Sequence, residues 1–333
     1  MTNIDIELEL TRRRKIIDTA LTAALNIDEL EPKLRDAMFH LPLAGGKRLR
    51  PIIAMLVADA INGSGTRTIP FGVAIELIHN FTLIHDDIMD ADILRRGVNT
   101  VHVAYGIPTA INAGDVLFAR AFEILTSLNT DSAVICKLVH EVANMVRIIG
   151  NGQQADLNFE TRTDVTETDY LAMIEQKTAK MFEVSAKGGA MIAGATDTQI
   201  NSMAVYGRLL GLAFQIRDDL LGTIGDTRKL GKPVGNDIKR GKKTLLIVHG
   251  LAHATSQHKR RILNALGNKN ISVSELEAVI EILRTTGSIE YAYHVADDYV
   301  LRARKLLTVL PDTHIASKRT LQALVDYIIE RQV

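Results

Sequence analysis

The chain has 333 residues, 47% of them apolar, with 39 basic residues balancing 39 acidic ones. That length supports a large core, and the zero net charge gives no general attraction to nucleic acid or an anionic membrane, so any anion site must be local. The single cysteine, Cys136, excludes an intrachain disulfide and points to a reducing compartment, the cytoplasm.

At the N-terminal end Asp5, Glu7 and Glu9 precede Arg12, Arg13, Arg14 and Lys15 with no apolar stretch behind them, unlike a secretory leader. No uncharged apolar run reaches the ~18 residues of a membrane span, so a soluble protein is expected. The prolines at 32, 42, 51, 70, 108, 233 and 311 punctuate long segments of helical apolar spacing, among them 71–90, 109–128, 167–195 and 198–221. No sustained period-2 alternation marks a strand, and Asn151-Gly152 sits inside a helical pattern. The spacing predicts an all-α protein of ten or more helices, forming a single domain over residues 1–333.

The first polar feature is AGGKRLRP at 44–51. It is not a Walker loop. Gly45 and Gly46 free the backbone, and Lys47 and Arg50 lie one turn apart at a helix start, which suits a diphosphate clamp and also a solvated basic turn. Next, residues 75–97 read IELIHNFTLIHDDIMDADILRRG. At ~100° per residue Asp86 and Asp90 share one helical face, His79 lies two turns earlier near the same line, and Asp87 points elsewhere. The other residues of this helix are apolar, so buried carboxylates here need cations, and oxygens one turn apart suit Mg²⁺. A solvated helix end would also carry such aspartates, but Arg95-Arg96-Gly97 directly after them favours an anion site.

Further along, Lys177-Thr178 lies in the amphipathic segment IEQKTAKMFE. In GRLLGLAFQIRDDLLG (207–222) Asp218 shares a face with Gly211, Gln215 and Gly222, leaving room for a bulky group or for a close-packed helix. Two aspartate clusters on separate apolar helices can form a polyphosphate trap if a bundle aims both into one cavity. Lys232 and Lys242, in LGKPVGNDIKRGKKT (230–244), are placed to close over a bound anion.

GGKRLRP (45–51), DDIMD (86–90), RRG (95–97), GQQAD (152–156), KT (177–178) and FQIRDDLLG (214–222) occur in the order and spacing of one family. The chain resembles trans-polyprenyl diphosphate synthases, most of all the archaeal short-chain, geranylgeranyl type. The resemblance implies the isoprenoid-synthase fold, a large helical bundle around a central cavity, usually a homodimer. It implies head-to-tail condensation of isopentenyl diphosphate with an allylic diphosphate (dimethylallyl, geranyl or farnesyl), aided by three Mg²⁺ ions. Asp86 and Asp90 would hold two ions with Asp87 in support, and Asp218 a third. Arg95, Lys177 and Lys232 would grip the allylic diphosphate; Gly45, Lys47, Arg50, His79 and Arg96 would hold isopentenyl diphosphate. Thr178 and Gln215 would face the developing cation, with Gln153 and Asp156 supporting the site. Where many members carry a third aspartate in the second motif, this chain has Gly222, which bears on how the third metal is held.

The expected chemistry is ionisation, condensation and elimination, with the released diphosphate as base. In the family, the residue five before the first aspartate often forms the floor of the product pocket. Here it is Phe81, with Thr82 beside it and more directly under Asp86, and a bulky aromatic there resembles enzymes that stop at C20. The alternatives are a C15 or C25 product, or a non-catalytic or partner-dependent subunit of a heteromeric synthase. A terpene cyclase needs no second diphosphate clamp, and a histidine-aspartate phosphohydrolase needs metal-binding histidines that this chain does not supply.

Overall fold

The computed structural model describes residues 5–225 and 235–329. Among them the helices are α1 (Ile6–Leu25), α2 (Pro32–Leu43), α3 (Leu49–Asn62), α4 (Ile69–Met89), α5 (Val101–Tyr105), α6 (Ile107–Thr126), α7 (Ser132–Thr161) and α8 (Glu167–Ile174). They continue with α9 (Lys180–Ile192), α10 (Asp197–Ile224), α11 (Asn236–Lys239), α12 (Leu245–His253), α13 (Ser256–Ala265), α14 (Val273–Thr285), α15 (Ser288–Leu306) and α16 (Ile315–Ile329). The all-α expectation holds. Two compact units are distinguished: Met1–Val146, Met181–Gly207 and Leu307–Ala323 form the first; Arg147–Lys180, Arg208–Leu306 and Leu324–Val333 form the second.

In the first unit α4 packs against α1, α3 and α6. Residues 71–78 are buried on every side of α4, and each large apolar side chain sealed there contributes about 2 kcal/mol. From His79 onward one face opens, and His79, Phe81, Thr82, His85, Asp86 and Asp90 are half-buried. This half-buried polar stripe is thus carried by a helix whose first half is core.

The end of α4 is a Schellman turn: Ala91 N–H donates to the Ile88 carbonyl and Asp92 N–H to the Asp87 carbonyl. Ala91 takes the left-handed conformation at φ 52°, where glycine is usual, at a cost of about 1 kcal/mol.

The sequence predicts no strand, but a small antiparallel hairpin follows: β1 (Leu94–Arg95) pairs with β2 (Val98–Asn99). Its two central residues, Arg96 (φ 54°) and Gly97 (φ 79°), both adopt left-handed backbone, as in a type I′ turn. The strands are too short to produce an alternation, and arginine replaces the usual Asn or Asp at the first position.

In the second unit a buried apolar cluster joins Phe159, Tyr170 and Ile174 to Leu212, Ile216, Leu220, Leu245, Leu246, Val279 and Leu283. The segment 167–195, which the spacing predicts as one helix, is divided. Helix α8 starts at a Thr166–Asp169 capping box, passes into a π-helical turn at Glu175–Ala179, and α9 follows. A π-turn inserts one residue and rotates the following side chains, so the apolar pattern continues while Lys177 and Thr178 are re-aimed.

Candidate active site

The basic half of the first unit is built where α3, α4 and the hairpin meet. Arg50, from the first turn of α3, donates through Nη1 to His79 Nε2 on α4 at 3.2 Å. Its guanidinium also lies over the Phe182 ring at 4.7 Å. Arg96 donates to the Leu41 carbonyl at 3.1 Å and to Asn80 Oδ1 at 3.4 Å. Gly46, at φ 152°, lies against Arg48 and Arg96 so closely that a Cβ would sit 2.9 Å from Arg48 Nη1 and 3.2 Å from Arg96 Cζ. Gly45 has open space where its side chain would be, and Lys47 is exposed.

Crowding of like charge has electrostatic consequences. Burial, with neighbouring Arg96 repelling, lowers Arg50 to about 10 despite the pull of Glu76. Arg96 is likewise lowered to about 10 by burial and the adjacent arginines. Burial and the same guanidiniums hold His79 well below its usual value, so its imidazole is neutral. Arg50 Nε is buried with no hydrogen-bond partner in the protein. Such a set concentrates positive charge and an unsatisfied donor in one place.

Arg48 plays a different part, which its neighbours Lys47 and Arg50 obscure in sequence. It is 4% exposed and takes left-handed backbone (φ 51°) just before α3. Its side chain pairs with Asp18 and Glu76, each at 2.8 Å, and donates to the Pro42 carbonyl. Arg48 is a core ion-pair residue, whereas Lys47 is exposed and Arg50 half-buried.

In the acidic half Asp86 and Asp90 are half-buried one turn apart, while Asp87 is 1% exposed. Arg95 turns back from the hairpin onto Asp87 through Nε and reaches Asp92 at 3.5 Å and Asp86 at 3.8 Å. Burial raises Asp87 to about 6 against the pull of Arg95, and its Oδ2 has no partner. Below this stripe Phe81 stacks edge-on to His85, with centroids 4.7 Å apart, and leans on Phe118 of α6 at 5.2 Å. Phe118 in turn meets Phe122 at 5.1 Å, extending the aromatic wall along α6. Thr82 bonds its hydroxyl to the His79 carbonyl at 2.8 Å, so Phe81 rather than Thr82 supplies bulk here.

The second unit carries the remaining predicted residues. Lys177 pairs with Asp156 at 2.6 Å. Thr178 Oγ1 donates to Gln215 Oε1 at 2.8 Å, and Gln215 Nε2 donates to Asp219 Oδ1 at 2.8 Å. Asp218 is exposed and Asp219 buried, on adjacent positions of α10. Burial, with Asp237 nearby, raises Asp219 to about 7, and its hydrogen bonds from Tyr170 and Gln215 oppose the rise. The room expected beside Asp218 at Gly222 is filled: a Cβ at Gly222 would overlap the Asp237 carboxylate. Gly235 N–H bonds the Gly222 carbonyl at 3.2 Å, which brings the start of α11 onto α10. Gln153 and Lys242 are half-buried in this unit, and Lys242 N–H donates to the Asp237 carbonyl at 2.9 Å. Lys232 lies outside the described residues.

The polyprenyl synthetase family model matches residues 31–283 of the chain. The chain belongs to that family. Similar curated proteins include the geranylgeranyl diphosphate synthase of Sulfolobus acidocaldarius, 43% identical over 90% of this chain and 92% of its own. The geranylfarnesyl diphosphate synthase of Aeropyrum pernix is also 43% identical, over 90% and 94%. Among solved structures, the geranylgeranyl pyrophosphate synthetase of Pyrococcus horikoshii superposes with a TM-score of 0.92 at 38% identity, covering 98% of this chain and 99% of its own. This polyprenyl synthetase is therefore a prenyltransferase with the isoprenoid-synthase fold.

Enzymes of the family are magnesium-dependent. The residues of this synthetase fit the ion. Asp86, Asp90 and Asp218 offer hard carboxylate oxygens at accessible positions, and Arg95 keeps Asp87 turned aside. Among the described residues no three His, Cys, Asp or Glu side chains converge to hold a metal by themselves. Mg²⁺ takes one or two carboxylates and completes its shell with water and substrate phosphate. Arg48, Glu76, Asn80, Tyr170, Asp219 and Asp237, to which the sequence assigns no role, emerge as supporting residues; the Arg48–Glu76 and Tyr170–Asp219 bonds join residues far apart in sequence, so spacing carries no sign of them.

Proposed function

We propose that the whole chain acts as one catalytic domain and, as a cytoplasmic homodimer, builds geranylgeranyl diphosphate from isopentenyl diphosphate and dimethylallyl, geranyl or farnesyl diphosphate. The observation that carries the reading is the Arg50–His79–Arg96 cluster: a neutral histidine among guanidiniums, with an unpartnered buried Nε, on the helix that also bears Asp86 and Asp90. A cyclase has no use for this second anion site. The family match spans residues of both units, and α7, α10 and α16 each contribute to both, which supports one catalytic domain. Exposed Ile93, Leu94, Val103, Ile107 and Ile111 give the first unit apolar surface suited to a second copy. No helix among the described residues is long and apolar enough to cross a membrane.

Asp86 and Asp90 would hold two magnesium ions and Asp218 a third; bound there, magnesium neutralises and polarises the departing diphosphate. Lys47, Arg50, His79 and Arg96, with the open backbone at Gly45, hold isopentenyl diphosphate. Arg95, Lys177, Lys232 and Lys242 take the charge of the allylic diphosphate, and Asp87 and Asp156 position Arg95 and Lys177. The allylic C–O bond breaks with its electron pair going to diphosphate, and Thr178 and Gln215 face the positive charge left behind. The isopentenyl double bond forms the new C–C bond, and the proton it then loses goes to the released diphosphate. Phe81, backed by Phe118, closes the product pocket at C20.

The chain purified alone, given Mg²⁺, labelled isopentenyl diphosphate and farnesyl diphosphate, should incorporate label into an elongated prenyl product. Folded, magnesium-supplied protein that incorporates none would mean that a partner subunit is required.

A further inference from the structure

Four polar side chains of the second unit form one unbroken line of hydrogen bonds. Tyr170 Oη donates to Asp219 Oδ2 at 2.6 Å, Gln215 Nε2 donates to Asp219 Oδ1 at 2.8 Å, and Thr178 Oγ1 donates to Gln215 Oε1 at 2.8 Å. Tyr170 is 1% exposed, Asp219 7% and Thr178 8%, with Gln215 half-buried between them.

The far end dictates the direction of every bond. Burial and the adjacent Asp219 hold the Tyr170 phenol well above its usual value, so it keeps its proton and donates. A carboxylate accepts on both oxygens and donates on neither. Gln215 must therefore turn its amide NH₂ toward Asp219 and its carbonyl toward Thr178. Thr178 has one hydroxyl proton, and it goes to that carbonyl. The lone pairs of Thr178 Oγ1 are left facing away from the line. With the opposite polarity, the same hydroxyl would point its proton outward and oppose a positive charge.

We propose that Tyr170 and Asp219 are positioning residues that set the hydrogen-bond polarity of Gln215 and Thr178, so that Thr178 presents lone pairs to the cation formed on the allylic substrate. This rests on the reading that Thr178 faces that cation. Tyr170 and Asp219 act through Gln215, as part of a dipole set fixed before the reaction begins.

Asp219→Asn tests the polarity directly. Asparagine accepts from Tyr170 through its carbonyl and must then donate its NH₂ to Gln215, which turns the Gln215 amide over and sends the Thr178 proton outward. This variant should lose about tenfold in kcat, with unchanged KM for both diphosphates. Adding Tyr170→Phe removes the donor that fixes the asparagine, lets its carbonyl face Gln215 again, and should recover most of the loss. No recovery in the double variant, or wild-type kcat in Asp219→Asn, would overturn the proposal. If Asp219→Asn does not fold, the pair Asp219→Leu with Tyr170→Phe removes the acceptor that fixes the Gln215 amide and should lower kcat at unchanged KM, and an unchanged kcat would overturn it equally. Thr178→Val separates the two layers: wild-type kcat there would remove the underlying reading of Thr178 itself.

Discussion

Arg50 Nη1 lies 3.2 Å from His79 Nε2, and because a guanidinium can only donate, the imidazole accepts and carries no proton on that nitrogen. Burial and the surrounding arginines hold His79 well below its ordinary value near 6.5. The unfolded chain takes up this proton as pH falls through that range and the folded chain refuses it. The stabilising contribution of neutral His79 is therefore complete above about pH 6.5 and is lost as pH falls below it. Urea denaturation at descending pH should show His79→Gln losing less stability than the parent. Identical pH profiles would remove His79 from the charged cluster.

Arg48 should matter to stability far more than an arginine in an exposed ion pair. Its removal leaves Glu76, 2% exposed, without its ion-pair partner in the core. Arg48→Ala should cost about 3–5 kcal/mol, whereas removing Arg12, an exposed ion-pair residue, should cost about 0–1 kcal/mol. Equal effects in chemical denaturation would contradict this division of labour.

Restoring the aspartate that many relatives carry should not help this chain. Gly222→Asp would drive a carboxylate into that of Asp237, and overpacking of this kind costs about 1–3 kcal/mol. Lower thermal stability with no tighter magnesium binding is expected. A variant that is as stable as the parent and binds magnesium more tightly would show that Asp237 yields its place freely.

Asp86 is half-buried on the open face of α4, and Asp86→Ala keeps a good helix former there and leaves the buried face of α4 in place, so the fold should be spared. Asp86→Ala should reduce turnover by about a hundredfold or more. It should also weaken magnesium-dependent binding of an unreactive allylic diphosphate analogue, read by calorimetry. Normal affinity and turnover would move the metal site elsewhere.

The sequence reveals the parts of this site that repeat at helical spacing on a single element. Asp86, Asp90 and His79 stand out because they interrupt an apolar helix at intervals of one and two turns. Four features stay hidden for physical reasons. The hairpin after α4 rests on Arg96 in left-handed backbone, a conformation arginine rarely signals. Lys47, Arg48 and Arg50 look alike in a row, and only the burial of Arg48 between Asp18 and Glu76, from other helices, distinguishes it. Asp219 reads as a mere neighbour of Asp218, since its partner Tyr170 belongs to another helix. The helical period likewise hides the π-turn that aims Lys177 and Thr178, because an inserted residue preserves the apolar composition while shifting its phase.

The most direct test of the account is the length of the product that the chain makes before and after Phe81 is cut back. Phe81 is held between His85 and Phe118 at centroid distances of 4.7 and 5.2 Å, so Phe81→Ala opens the wall without removing any charged group. With Mg²⁺, isopentenyl diphosphate and farnesyl diphosphate, the parent should yield a C20 alcohol after dephosphorylation, and Phe81→Ala products of C25 and longer. A parent product other than C20, or a folded and active Phe81→Ala that still stops at C20, would contradict the assignment of this aromatic wall as the floor of the pocket.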